Sequence, residues 1–196
     1  MPDLPTSMRA LRIHEYRTGS VSLRLEQMPT PQPAPGELLI AILASPINPS
    51  DLMFMQGMYG VRKPLPVVPG FEALGRVVAV GEGLPAERWL GRRVACFAGS
   101  GDGTWAQYMT TSPALCWPVE EGVTDDAAAT MLVNPLTAWA LIDRARQAGT
   151  SAIVQTAAGS ALGRMIERQA DEHGLAGINI VRRTAQAEPL RAGGSA

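Results

Sequence analysis

Between Ser151 and Val181 the chain runs strand, small-residue turn, helix, strand, and that order leaves few architectures open. Ser151-Ala152-Ile153-Val154-Gln155-Thr156 reads as a short buried strand, and a helix to about His173 leads into the strand Gly177 to Val181. Two strands joined through a helix lie parallel, with the helix packed back onto the sheet. The connecting turn, Ala157-Ala158-Gly159-Ser160-Ala161-Leu162-Gly163, departs from G-x-G-x-x-G: Ala158 and Ser160 stand at the first two glycine positions and Gly163 at the third. Small side chains let backbone approach a pyrophosphate, and the amides of the following helix meet its charge. Ala158, Gly159, Ser160, Ala161, Leu162 and Gly163 are therefore candidate cofactor contacts, although ordinary helix-strand packing would also explain them. Arg182 and Arg183 follow the second strand, where NAD-binding units place an acidic residue. Two guanidiniums there can fork onto a 2′-phosphate, which favours NADPH over NADH; a solvated basic pair is the competing reading.

The first two thirds of the chain are built differently. Met8 to Tyr16 alternates apolar and polar, and Val21 to Leu25 alternates again after Thr18-Gly19-Ser20, which predicts a hairpin. Residues 1 to 7 carry two prolines and are expected to form a flexible extension. Pro29, Pro31, Pro33 and Pro35 enforce an extended spacer before the strand Glu37 to Ala44. Further strands are expected over Arg76 to Val80, Arg93 to Phe97 and Thr104 to Met109, with a glycine-rich loop at Gly99 to Gly103. Many short strands joined by Pro and Gly turns predict an irregular β-barrel over residues 8–123.

At Thr124 the pattern changes, so residues 124–196 form the second predicted domain. Thr124 is a suitable N-cap, Asp125 and Asp126 put negative charge in the first turn, and Ala127 to Leu132 favours helix. Pro135 is expected to interrupt that helix, with a second running from about Leu136 to Gln147. Backbone carbonyls freed near Val133 and Asn134 then need partners, which a packing kink or a ligand amide could supply.

Tyr59 lies between Gly57 and Gly60 in a predicted loop, Ser45 to Gly60, where sharp turns can bring the phenol forward as a proton donor. A loop tyrosine that merely covers core is the simpler alternative. A composition of 46% hydrophobic and 18% charged residues suits a water-soluble globular protein, and a net charge of -1 supplies no field for nucleic acid. The start Met-Pro-Asp-Leu-Pro-Thr-Ser has no basic-then-apolar leader, and no apolar run is long enough to span a membrane, so a cytoplasmic location is expected. Cys96 and Cys116 lie far apart in sequence without metal-ligand spacing, and His14 and His173 form no cluster, so no metal site is expected.

Taken in order, Asn48-Pro49-Ser50-Asp51, Gln56-Gly57-Met58-Tyr59-Gly60, Gly70-Phe71-Glu72, Gly103-Thr104-Trp105, Asn134-Pro135-Leu136-Thr137-Ala138 and the turn at Ala157 to Gly163 resemble the zinc-independent medium-chain dehydrogenase/reductases. The likeness is closest to the 2-enoyl thioester reductases, with quinone oxidoreductases next. It implies a GroES-like catalytic barrel followed by a Rossmann domain that holds NADPH. Where zinc-dependent members carry Cys and His, this chain has Asn48 and Phe71. By the same likeness Tyr59 is the proton donor or enolate stabiliser, Asn48 and Thr137 are catalytic-site residues near the nicotinamide, and Asn134 contributes backbone to the cofactor. The implied substrate is a small molecule, an enoyl thioester or a quinone, and the implied assembly is a homodimer formed through a complete nucleotide domain. Members of the family continue well beyond this length. The Rossmann domain is therefore expected to be incomplete, with apolar strand surface uncovered, and a non-catalytic remnant or binding module of the same family is the alternative function.

Overall fold

The computed structural model describes residues 4–19 and 23–192. These divide into two compact units, Met1–Leu132 and Val133–Ala196.

In the first unit, β1 (Ser7–Arg12) and β2 (Arg24–Pro29) pair antiparallel, from Ser7 opposite Pro29 to Arg12 opposite Arg24. The expected hairpin turn at Ser20 and the start of its second strand lie partly outside the described residues. A five-stranded antiparallel sheet takes the order β6-β3-β4-β5-β7, with β3 Leu38–Ala44, β4 Glu72–Val80, β5 Arg93–Phe97, β6 Tyr108–Thr111 and β7 Cys116–Pro118. Leu38, Leu39 and Ile40 are all buried because β3 is an interior strand, between β6 and β4, and is covered on both faces. Register shifts between Leu39 and Ile40 and between Ile42 and Ala44 bend β3 against β4. The hairpin is tied to this sheet by the Leu11 amide donating to the Trp105 carbonyl and by single bridges at Ala10–Ala106 and Ile13–Val67. The result is the irregular GroES-like barrel that the sequence predicts. Its main core is Leu38, Ile40, Val77, Trp89, Val94, Cys96, Met109 and Cys116.

Several expectations are corrected. Ser7 belongs to β1 and the Thr6 carbonyl accepts from the Thr30 amide, so the N-terminal extension is shorter than seven residues. The stretch Ser45 to Gly60 is not all loop: it contains helix α1 (Pro49–Met55), with Pro49 in the first turn, where a missing amide proton costs nothing. Strand β4 begins four residues before Arg76, because Glu72 to Gly75 pair with β5. The strand expected over Thr104 to Met109 is instead Tyr108–Thr111. A short helix α2 (Ala86–Trp89) and strand β7 were not anticipated.

Helix α3 (Asp125–Ala129) starts on Thr124, whose hydroxyl accepts from the Ala127 amide as expected. It ends early, however, and its Ala128 and Ala129 pack on Leu74 of the barrel. Burial thus moves the unit boundary from residue 124 to after Leu132. Pro135 does not break a helix. It lies in the first turn of α4 (Val133–Gln147), where no intrahelical donor is needed, and the interruption falls at residues 130–132.

The second unit has β8 (Ala152–Thr156) parallel to β9 (Ala176–Ile180), joined by α5 (Ala161–Glu172), and ends in α6 (Ala187–Ala192). Ala138, Ile142, Ile166, Ala170 and Leu175 form its core under α4 and α5. Only one face of the strand pair is covered. Val154, Ile178 and Ile180 point the other way and are 64%, 52% and 50% exposed. This is a partial Rossmann sheet with the uncovered apolar face expected from a single βαβ unit.

Candidate active site

In the first unit the chemistry gathers around α1 and the start of β4. Asn48 precedes α1, and its amide N–H donates to Asp51 Oδ2 at 2.7 Å. Asp51 Oδ1 accepts from the Phe71 amide at 3.1 Å. Asn48 Nδ2 donates to Glu72 Oε1 at 2.9 Å, and the Leu132 amide donates to Glu72 Oε2 at 3.2 Å. Asn48, Asp51 and Glu72 are all buried. Desolvation pushes the Asp51 carboxyl up to about 6, against the pull of its two amide donors and with help from the nearby Glu72 charge. Below Glu72, the Ser45 hydroxyl donates to the Glu72 carbonyl and lies 2.7 Å from the Thr104 hydroxyl. Gly70, at φ +97, lets this loop pack: a Cβ there would strike Thr104 and approach the Trp105 ring to 2.5 Å.

Tyr59 is 39% exposed, and its ring lies 5.2 Å from that of Phe71. Phe71 stands edge-on to Phe54 at 5.5 Å, and Phe54 to Tyr16 at 5.6 Å, so the candidate phenol ends a row of four rings rooted in the core. Its loop is clamped from the other side. Arg62 Nη2 donates to the Gly57 carbonyl at 2.9 Å while its guanidinium lies over the Tyr16 ring, and the Tyr16 hydroxyl both donates to the Lys63 carbonyl and accepts from the Lys63 amide. Tyr59 and Asn48 are therefore linked through Phe71 and Asp51.

In the second unit a cavity of about 590 Å³ opens at the carboxyl ends of the parallel strands. Gly159, Ser160 and Arg182 line it, as do Thr156, Ala157, Ile180, Val181 and Gln186, none of which the sequence reading singled out. Thr156 and Ile180 end their strands, which is where ligands enter open parallel sheets, so the strand ends themselves were the available signal. Ala157 holds φ 54, a left-handed conformation unusual for a side-chain-bearing residue, at the bend. The Ser160 hydroxyl caps α5 by accepting from the Gly163 amide at 3.0 Å.

Other predicted contacts serve packing. Ala158 is buried, Leu162 packs on the core, and Gly163 is wedged under the Ala157 and Ala158 backbone. Ala161 is the exposed first residue of α5. Arg183 does not line the cavity; its amide donates to the Gln186 side chain. Asn134 lies in the first turn of α4, and the Thr137 hydroxyl donates to the Val133 carbonyl at 2.6 Å, so that proton is committed to the helix.

Cys96 and Cys116 are direct cross-strand partners on β5 and β7, close despite their separation in sequence. Contact with Cys116 and burial push the Cys96 thiol far up, which leaves that thiol protonated and inert. Among the described residues no three His, Cys, Asp or Glu side chains cluster as a metal site, and no helix is long and apolar enough to cross a membrane.

Residues 34–121 match the alcohol dehydrogenase GroES-like domain. Over 172 residues, the chain is 36% identical to the mitochondrial enoyl-[acyl-carrier-protein] reductase of Caenorhabditis elegans, covering 86% of this chain and 49% of that one. The fold superposes on a Mesorhizobium loti protein assigned as an NADPH:quinone reductase, with TM-score 0.89, 36% identity and coverage of 98% of this chain and 60% of the other. This chain belongs to the medium-chain dehydrogenase/reductase superfamily. The quinone oxidoreductase of Thermus thermophilus, for which a complex with NADPH is known, matches with TM-score 0.76, 28% identity and coverage of 95% and 58%. The chain thus spans about half the length of the curated medium-chain dehydrogenase/reductase relatives it matches.

Proposed function

We propose that the protein is, or is part of, an NADPH-dependent reductase of an activated carbon-carbon double bond, with a 2-enoyl thioester as substrate and no metal in the reaction. The observation that carries this reading is Phe71. It stands where, by resemblance, zinc-dependent relatives place a histidine ligand, and here its ring lies 5.2 Å from that of Tyr59. A phenol held in this way offers an O–H that can donate a proton to, or hydrogen-bond with, an oxygen that becomes an enolate.

The turn cavity fits a dinucleotide phosphate. Gly159 and Ser160 present backbone at the N-terminus of α5, and Arg182 supplies a guanidinium on the same wall. When bound, NADPH supplies hydride to the β-carbon of the acceptor. The chain's own residues would bind and orient: Arg182 takes the 2′-phosphate, the Ala157 to Ser160 backbone takes the pyrophosphate, Asn48 lies near the nicotinamide, and Tyr59 faces the acceptor. Thr137, whose proton is spent on Val133, would serve as a hydrogen-bond acceptor only.

The test is NADPH oxidation with a short 2-enoyl-CoA, by this chain and by Tyr59→Phe. A large drop in turnover with cofactor affinity unchanged supports the assignment, and equal rates remove Tyr59 from the chemistry. Quinone reduction is the second reading, favoured by the quinone reductases among the structural neighbours. Turnover of a quinone but not of the enoyl thioester would select it. Absence of NADPH binding would leave the non-catalytic module.

A further inference from the structure

We propose that Glu72 is a positioning residue that fixes the amide of Asn48 for ligand contact. The inference rests on the reading that places Asn48 in the site. Glu72 is 1% exposed at the first position of β4, and its two carboxylate oxygens meet two different donors. Asn48 Nδ2 donates to Oε1 and the Leu132 amide donates to Oε2. Only a carboxylate accepts at both atoms; a glutamine of the same shape turns an NH2 group toward one of the two donors.

The consequence for Asn48 is directional. An isolated asparagine amide can rotate its oxygen and nitrogen into each other's places, but beside a buried carboxylate the nitrogen must face Glu72. Its remaining polar capacity is then presented in one sense. Glu72 is itself held: its carbonyl accepts from Ser45 Oγ, and Ser45 pairs with buried Thr104. In the sequence Glu72 figures only as the last residue of the Gly70-Phe71-Glu72 motif; two long-range donors converging on it mark its role.

The experiment is a double-mutant cycle on NADPH affinity with the full chain, using Glu72→Gln, Asn48→Ala and the double variant, each checked for unchanged far-UV circular dichroism. Glu72→Gln is expected to weaken NADPH about tenfold, the size of one misdirected hydrogen bond. Because it acts through Asn48, the double variant should bind no worse than Asn48→Ala alone. Losses that multiply, or an unaffected Glu72→Gln, overturn the proposal in favour of a purely structural carboxylate.

A second readout does not depend on cofactor. The sequence holds three asparagines, Asn48, Asn134 and Asn179, so [15N]asparagine labelling yields three side-chain amide pairs. Glu72→Gln should move the Asn48 pair and leave the other two in place. If the wild-type chain takes up no NADPH, the cofactor reading fails and these resonances decide: an unmoved Asn48 pair overturns the positioning role. Should Glu72→Gln not fold, Glu72→Asp, which keeps the carboxylate but withdraws it by one methylene, carries the same measurements.

Discussion

Gly163→Ala sets two physical effects against each other with opposite signs. Gly163 lies in the first turn of α5, where helix propensity alone makes alanine better by about 1 kcal/mol. The structure argues the other way. A Cβ at this position would press on the Ala158 carbonyl oxygen and lie 2.8 Å from both the Ala157 oxygen and the Ala158 carbonyl carbon. These neighbours are backbone and cannot rotate aside. Ordinary contact begins at 3.4 Å, so even the looser pair must open by about 0.6 Å, lifting α5 off the turn. Overpacking on that scale costs about 1–3 kcal/mol. The Ser160 cap on the Gly163 amide, at 3.0 Å, is stretched by the same shift and adds about 1 kcal/mol. The sum, after the propensity gain, is a net loss of about 1–3 kcal/mol in the second unit. Urea unfolding combined with hydrogen exchange across β8, α5 and β9 reads it out. Gly159→Ala is the control, because a Cβ at Gly159 meets nothing within 4 Å. Gly163→Ala protein that is stabilised by about 1 kcal/mol would refute the close-approach argument and leave propensity in charge.

Asp51 should give stability a distinctive pH dependence. Its folded value of about 6 lies above the ordinary aspartate value of 3.8, so the native state binds the extra proton between these values. Stability conferred by that proton is complete below pH ~4 and is lost as pH rises through ~6, by up to about 3 kcal/mol. The unfolding free energy of wild type, measured by urea denaturation from pH 4 to 8, should fall by that amount relative to Asp51→Asn; a constant difference would contradict it. Arg182→Gln should weaken NADPH more than NADH, whereas Arg183→Gln should spare both, since only Arg182 lines the turn cavity. Titration of each variant with both cofactors checks this. Native protein should react negligibly with a thiol-specific disulfide reagent, and both cysteines should react on unfolding, because Cys96 and Cys116 are both buried and contact with Cys116 and burial push the Cys96 thiol far up.

What could be read from the sequence was local. Gly and Pro punctuation outlined the barrel strands, and Arg93 to Phe97 was placed to the residue. The Thr124 cap and the strand-turn-helix-strand order were also visible, because each depends on neighbours within a few positions. Helix α1 was missed because proline and serine at its start look like turn residues until Asp51 accepts from the Asn48 amide. Pro135 was misplaced for a related reason: its cost depends on which turn of the helix it occupies, and that depended on where Ala128 and Ala129 docked.

The candidate site divides the same way. Residue types alone put Tyr59 in a glycine-bounded loop and arginines after the second parallel strand, and the family resemblance put Asn48 and Phe71 in place of metal ligands. Tertiary structure alone decided that Tyr59 ends a row of rings, that Arg182 rather than Arg183 lines the cavity, that Cys96 and Cys116 touch, and that Glu72 joins Asn48 to Leu132. The physical reason is range. Turns, caps and periodicity are set by steric and hydrogen-bonding preferences over a few residues, whereas Glu72 meets partners 24 and 60 positions away only because strand register and core packing bring them together.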